Sequence, residues 1–178
     1  HDEDGEVTRY EALVRLLDAD GTVHAPGAFL LPVKNSRYYA KLTTAVIQAS
    51  MDTFRGRPES VAVNISFLDI ENRATRAFIL NALAEDPDLA SRMVFEIVEE
   101  EGSKRFMVIR EFIKRLRSLG AKVAIDDFGS GYSNFRRILE LDVDYLKIDG
   151  SLIRHVVSEP KQQHLVSVIA HFARLSEL

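Results

Sequence analysis

The chain of 178 residues has no cysteine. That excludes disulfides and thiolate metal sites, and it suits a reducing compartment. It also has no apolar run near the roughly 18–20 residues of a membrane span, and its opening, HDEDGEVTRY, is not a secretory signal. That opening starts abruptly at a turn, as a piece of a longer protein would. The formal net charge is −4, so no basic field advertises a nucleic-acid polymer as partner; KRLR at 114–117 is one polar helix face. The five histidines, His1, His24, His155, His164 and His171, share no metal-ligand spacing. No repeat, low-complexity tract or interdomain linker interrupts the chain. What is present, 46% hydrophobic and 28% charged residues, suits one compact domain or most of one.

Strand and helix patterns alternate along the chain. RYEALVRLL (9–17) reads as a strand with Glu11, Leu13 and Arg15 on one face. DADG (18–21) is a plain turn, since Asp18 and Asp20 lack the other ligands of a calcium loop. A helix is expected over 36–54 with Tyr39, Leu42, Val46 and Ala49 along its apolar stripe. A strand over 60–66 and a helix over 74–85 follow, the helix stopped by Asp86-Pro87. MVFEIVE (93–99) is the next strand. The helix over 103–120 has Ser103 as N-cap, Gly120 as its stop and Phe106, Ile109, Phe112, Ile113 and Leu116 inside. KVAID (122–126), a short helix near 133–140 and VDYLKID (143–149) continue the rhythm. A last helix over about 159–177 opens with Pro160 and points Leu165, Val168, Ile169, Phe172 and Leu175 inward.

Five strand–helix alternations at intervals of about 30 residues mark a parallel α/β protein. No G-x-G-x-x-G follows the first strand, which weakens a dinucleotide fold. Polar residues instead gather near the C-terminal ends of several strands, where (β/α)8 barrels keep their active sites. Each strand carries such a residue inside an apolar run: Glu11, Asn64, Glu96, Asp126 with Asp127, and Lys147 with Asp149. Acids brought together at one barrel mouth repel one another unless cations sit between them. Oxygen-only ligands point to Mg²⁺, Mn²⁺ or Ca²⁺ rather than zinc. Adjacent Asp126 and Asp127 point in different directions, so Asp126 can bridge two ions while Asp127 binds the second, an arrangement suited to phosphoryl transfer. Arg15, on the face of Glu11, offers a fork for a phosphate. Gly129 and Gly131 are read as turn residues needing positive φ rather than as a phosphate cradle.

Taken in order, YEALVRL, VNIS, FEIVEEEG, IDDFGSGYSN and DYLKIDGSLI resemble the EAL domains, bacterial phosphodiesterases of cyclic di-GMP. The resemblance runs over essentially all 178 residues. It implies a TIM-like (β/α)8 barrel in which Glu11, Asn64, Glu96 and Asp126 bind one Mg²⁺ or Mn²⁺, and Asp126 with Asp127 the second. It also implies that Arg15 contacts a substrate phosphate, Lys147 touches the attacking water and Asp149 supports that site. Glu99 would anchor the loop DFGSGYSN, which in the family couples the metal site to a dimer interface, so a homodimer is expected. Cyclic di-GMP is the implied ligand, the cytoplasm the implied location, and sensor or GGDEF domains the implied companions, in a parent that can be membrane-tethered.

Two departures matter. Val33-Lys34 stands where many members read Ala-Glu, which changes the pocket wall. Family members also carry a strand before residue 1 and, past Leu178, a catalytic glutamate and a glutamine. The resemblance thus implies one EAL domain truncated at both ends, whose residues 1–178 bind metal but do not turn over cyclic di-GMP. The competing readings are a catalytically silent cyclic di-GMP receptor on the same barrel and an unrelated metal-dependent barrel enzyme of the proton-abstracting kind. Intact ligand positions favour the phosphodiesterase.

Overall fold

A computed structural model describes residues 5–98, 106–129 and 135–178. Strand β1 (Arg9–Ala12) leads into a small antiparallel hairpin, β2 (Leu16–Leu17) with β3 (Val23–His24). Helices α1 (Pro26–Lys34) and α2 (Tyr39–Phe54) precede β4 (Ser60–Ile65). Then come α3 (Phe67–Glu71), α4 (Arg73–Glu85), α5 (Pro87–Ala90), β5 (Met93–Val98), α6 (Phe106–Ser118) and β6 (Lys122–Phe128). The described chain ends with α7 (Phe135–Leu141), β7 (Tyr145–Ile148), α8 (Gly150–Ile153) and α9 (Pro160–Leu175).

The main sheet runs β1-β4-β5-β6-β7 with every pair parallel. Alternation along each strand sends two sets of side chains to two different faces. On the helix-covered face Val61, Val63, Ile65, Phe95, Ile97, Val123 and Ile125 join Ile47, Met51, Ile109, Ile113 and Leu116 in the large core. On the other face Ala62, Val94 and Ala124 form a second, thin cluster against Tyr145. Burial on both faces is the signature of parallel sheets and leaves β5 apolar along most of its length. The sheet also curls. Although β1 and β7 are its opposite edges, the Arg9 guanidinium lies 4.4 Å over the Tyr145 ring and donates to its hydroxyl at 3.0 Å. The five strands therefore form an incomplete (β/α) barrel wall, as the polar strand ends and the family resemblance imply.

Several expectations need correction. The first strand ends at Ala12, because the chain turns into the β2–β3 hairpin; Arg15 is off the strand and does not continue the face of Glu11. The sequence pattern assigns no element to residues 26–34, where the structure has α1; Pro26 occupies its first turn, where no N–H is needed. In α2 the buried positions are Thr43, Ile47, Ser50, Met51 and Phe54, a stripe beside the predicted one. Thr43 and Ser50 tolerate burial because their hydroxyls donate to Asp69 and to the Val46 carbonyl. Strand β6 runs two residues past the expected Asp126. In α9 Ile169 is buried and Phe172 packs edge-on against Phe135, but Leu165, Val168 and Leu175 are exposed. In α6 Ile109, Phe112, Ile113 and Leu116 are buried as expected, with Phe106 partly buried against the core, and Gly120 ends that helix at φ +93°. Ser103 and Gly131 lie outside the described residues.

Asp144 fixes the end of the barrel opposite the polar residues. Its side chain, 8% exposed, accepts from the Val123 amide at 2.9 Å and Lys122 Nζ at 3.2 Å and pairs with Arg117 Nε at 3.3 Å. Asp144→Ala leaves the amide and the guanidinium without their acceptor, and should cost about 2 kcal/mol. Urea unfolding checks this as a lower midpoint with an unchanged slope.

Candidate active site

The parallel register places the polar residues of neighbouring strands side by side. Asn64 of β4 is level with Glu96 of β5, and Val98 of β5 with Asp126 of β6. Because the period is two, Glu11, Asn64, Glu96, Asp126 and Lys147 all project from the inner face near the C-terminal ends of their strands. Asn64 Nδ2 donates to Glu11 Oε1 at 2.9 Å, joining β4 to β1. Lys147 Nζ donates to Glu96 Oε2 at 2.6 Å and pairs with Asp126 Oδ1 at 3.2 Å, joining β7 to β5 and β6. Two short chains of polar contacts thus span all five strands.

The electrostatics are those of acids pressed together. Glu96 is only 4% exposed. Burial pushes its carboxyl above the usual range; the Lys147 ammonium opposes that shift, while Glu11 and Asp126 add to it. Burial by itself would lower the Lys147 ammonium, but Glu96 and Asp126 outweigh it and leave it raised. Asp127 is raised by desolvation and by the charges of Asp126 and Asp149. Asp149 goes the other way, held low by hydrogen bonding from Ser151, whose amide donates to it at 2.7 Å.

Backbone geometry explains how adjacent aspartates serve different places. Asp127 sits at φ 56°, a left-handed conformation aspartate tolerates better than most residues. There the strand's alternation breaks, and Asp127 meets Asp149 rather than the outer core. Gly129 follows at φ +95°, and a Cβ there would lie 2.5 Å from Leu152 Cδ1. The positive φ is what favours glycine there, since the end of the Leu152 side chain could move aside.

A cavity of about 340 Å³ opens beside the acids. Glu11, Asn64, Asp126 and Asp127 form its polar end, and Leu30, Leu42 and Val46 are among its apolar walls, with Lys34 at the lining as well. Among the described residues no three acidic or imidazole side chains lie close enough together to share one ion in this arrangement. Lys147 instead occupies the space between Glu96 and Asp126. Arg15 is not brought to this site: its Nη1 donates to the Val14 carbonyl at 2.8 Å on an exposed turn. Glu99 lies outside the described residues. Sequence reasoning missed Tyr39, Thr43 and Ser66, which line the cavity and bond to the buried Asp69. The available signal was Ser-x-x-Asp at 66–69, a capping box, which α3 uses as such.

The chain is similar to the cyclic di-GMP phosphodiesterase PdeF of Escherichia coli (strain K12), at 26% identity over 174 residues, covering 95% of this chain and 23% of that protein. It spans 20% to 23% of the length of three curated relatives that it matches. Its fold is that of the PaMucR phosphodiesterase in its c-di-GMP complex, with a TM-score of 0.87 at 24% identity, over 98% of this chain and 73% of that one. The FimX EAL domain from Pseudomonas aeruginosa, bound to c-di-GMP, also superposes with a TM-score of 0.87, at 22% identity over 97% of this chain and 72% of that one. The profile of the EAL domain matches residues 1–176, and the chain belongs to that family.

Proposed function

We propose that this chain carries the reaction centre of a metal-dependent phosphodiesterase that opens cyclic di-GMP to linear pGpG. Water adds to one phosphorus, the bond from that phosphorus to the ribose 3′ oxygen breaks, and a proton passes to the departing oxygen. The observation that carries this reading is that Glu11, Asn64 and Asp126 form the polar end of an apolar cavity while Lys147 bonds Asp126 to the buried Glu96 beside it, so that five strands contribute to one cluster. The names of the relatives and the c-di-GMP-bound neighbours support the ligand class.

The residues fit a divalent ion on their own chemistry. Their donors are hard oxygens only, and the Lys147 ammonium between Glu96 and Asp126 marks a place where these acids already hold positive charge. Glu11, Asn64, Glu96 and Asp126 would hold one Mg²⁺ or Mn²⁺, and Asp126 with Asp127 a second. Such ions, when bound, make water nucleophilic near neutral pH and offset charge on the phosphate oxygens. The chain's own groups do the rest. Lys147 orients the attacking water and keeps a positive charge beside it. Asp149, oriented by the Ser151 amide, steadies Asp127. Arg15 turns from the Val14 carbonyl to a substrate phosphate, a small change for an exposed side chain. Glu99 anchors the loop that follows β6. The apolar walls take a base and exclude water. The same reading makes residues 1–178 one EAL domain, active in the cytoplasm as a homodimer beside sensor or GGDEF domains.

The direct test is incubation of the full-length parent with cyclic di-GMP and Mg²⁺ or Mn²⁺, with pGpG as readout; residues 1–178 by themselves should bind metal without turnover. Metal-dependent product sustains the reading; tight binding without product would assign the chain to the receptors instead. Glu11→Ala and Asp126→Ala should each lower turnover at limiting metal by about 100-fold or more while leaving the far-UV spectrum unchanged. Near-normal turnover in either would remove that residue from the ligand set.

A third expectation concerns pH in metal-free buffer. Asp127 has a raised folded-state pKa, so between its ordinary value and that raised value the folded chain binds more protons than the unfolded one. Its contribution to stability is therefore present at low pH and lost as pH rises through that window. Asp127→Asn removes this loss and keeps a residue suited to φ 56°. The variant should melt higher than the parent at neutral pH, with the gap closing below the ordinary carboxylate range. A gap independent of pH would mean that repulsion at Asp127 is not the cause.

A further inference from the structure

We propose that Tyr39, oriented by the buried Asp69, is a specificity-determining residue that makes one wall of the cavity an acceptor surface for the N–H edge of a guanine base. The inference rests on the phosphodiesterase reading for its ligand and adds which residue tells guanine from adenine. Asp69 is 2% exposed and stands behind the wall. Its Oδ1 accepts from Thr43 Oγ1 at 2.6 Å; its Oδ2 accepts from the Ser66 amide at 2.9 Å, Ser66 Oγ at 2.8 Å and Tyr39 Oη at 3.1 Å. A carboxylate can only accept, and a hydroxyl has one proton to give. Thr43 and Ser66 spend theirs on Asp69. Tyr39 spends its own on Asp69 or on Ser66 Oγ, 2.9 Å away. All three hydroxyl protons therefore point inward, and lone pairs are what the lining keeps.

Thr43 and Ser66 are 8% and 7% exposed, so the half-buried Tyr39 is the member a ligand can reach. Burial pushes its hydroxyl up to about 12, so it remains a protonated phenol across the working pH range. A purine base entering the cavity between Leu42 and Val46 brings a polar edge to this wall. Guanine offers adjacent donors at N1 and N2; adenine offers a lone pair at N1, no group at C2 and a single amino donor at N6, on the other side of N1. With the N1–C2 side of the ring against it, an acceptor wall pairs with the first and faces a lone pair and a bare C–H on the second. Burying a carboxylate among three hydroxyls and one backbone amide is a costly way to stabilise a helix start, and it is explained by the polarity it imposes.

The test is equilibrium titration of the full chain with cyclic di-GMP and, separately, cyclic di-AMP, with EDTA present so that nothing is turned over. The parent should bind the guanine ligand more tightly. Tyr39→Phe keeps the ring and should weaken cyclic di-GMP by about three- to tenfold, with cyclic di-AMP changed less than about twofold, so that the preference collapses. Asp69→Asn gives Asp69's position a donor that can turn a hydroxyl proton outward, and should lower the preference as well; if that variant fails to fold, Tyr39→Phe decides alone. An unchanged guanine-to-adenine ratio in Tyr39→Phe, or an equal loss on both ligands, overturns the assignment and leaves the phosphodiesterase reading standing. Failure of the parent to bind either ligand overturns both.

Discussion

The constraint on which this structure depends is the shared ammonium of Lys147. Glu96 lies almost wholly inside, and a carboxylate there without a counter-charge would cost several kcal/mol. Lys147 arrives from β7, not from a neighbouring strand of β5, so the pairing is satisfied only when the sheet curls enough to bring the two strands to one mouth. Asp126 shares the same ammonium, and Asn64 ties Glu11 in from the far edge. Below them the Arg9–Tyr145 contact reaches across the same gap. Curl and polar network therefore imply each other: a flat sheet would strand the acids, and an apolar mouth would give the curl nothing to close on.

Stability comes from elsewhere. The helix-covered face of the sheet holds the large core, whereas the inner face has only Ala62, Val94 and Ala124 against Tyr145. Small inner side chains leave room for long polar ones one layer up, so the lumen can be chemically demanding without unravelling the fold. The raised carboxyls of Glu96 and Asp127 mark where that demand is met at the expense of stability, a pattern common at functional sites.

The strand pattern and the site were legible to different depths. A polar residue in an otherwise β-branched run stands out, and the period of two fixes its face, so Glu11, Asn64, Glu96, Asp126 and Lys147 could be grouped before any coordinates. Arg15 could not be placed, because a four-residue strand followed by a two-residue hairpin strand looks in sequence like one long strand. The face of α2 was misread for a related reason. Hydrophobicity ranks Leu42 and Val46 above Thr43 and Ser50, but it does not count a hydroxyl satisfied by a partner 26 residues away.

Asp69 shows the same limit most sharply. In sequence it is the N3 residue of a capping box, which accounts for its bonds to Ser66 and for nothing more. Its other two partners, Thr43 and Tyr39, come from a helix that precedes it by about 30 residues. Only packing of α2 against the start of α3 turns a local cap into a four-bond acceptor. A helix cap alone would be served as well at the surface, in water. Placed behind a cavity wall, the same carboxylate dictates where three hydroxyl protons point, and the polarity of the wall follows from it.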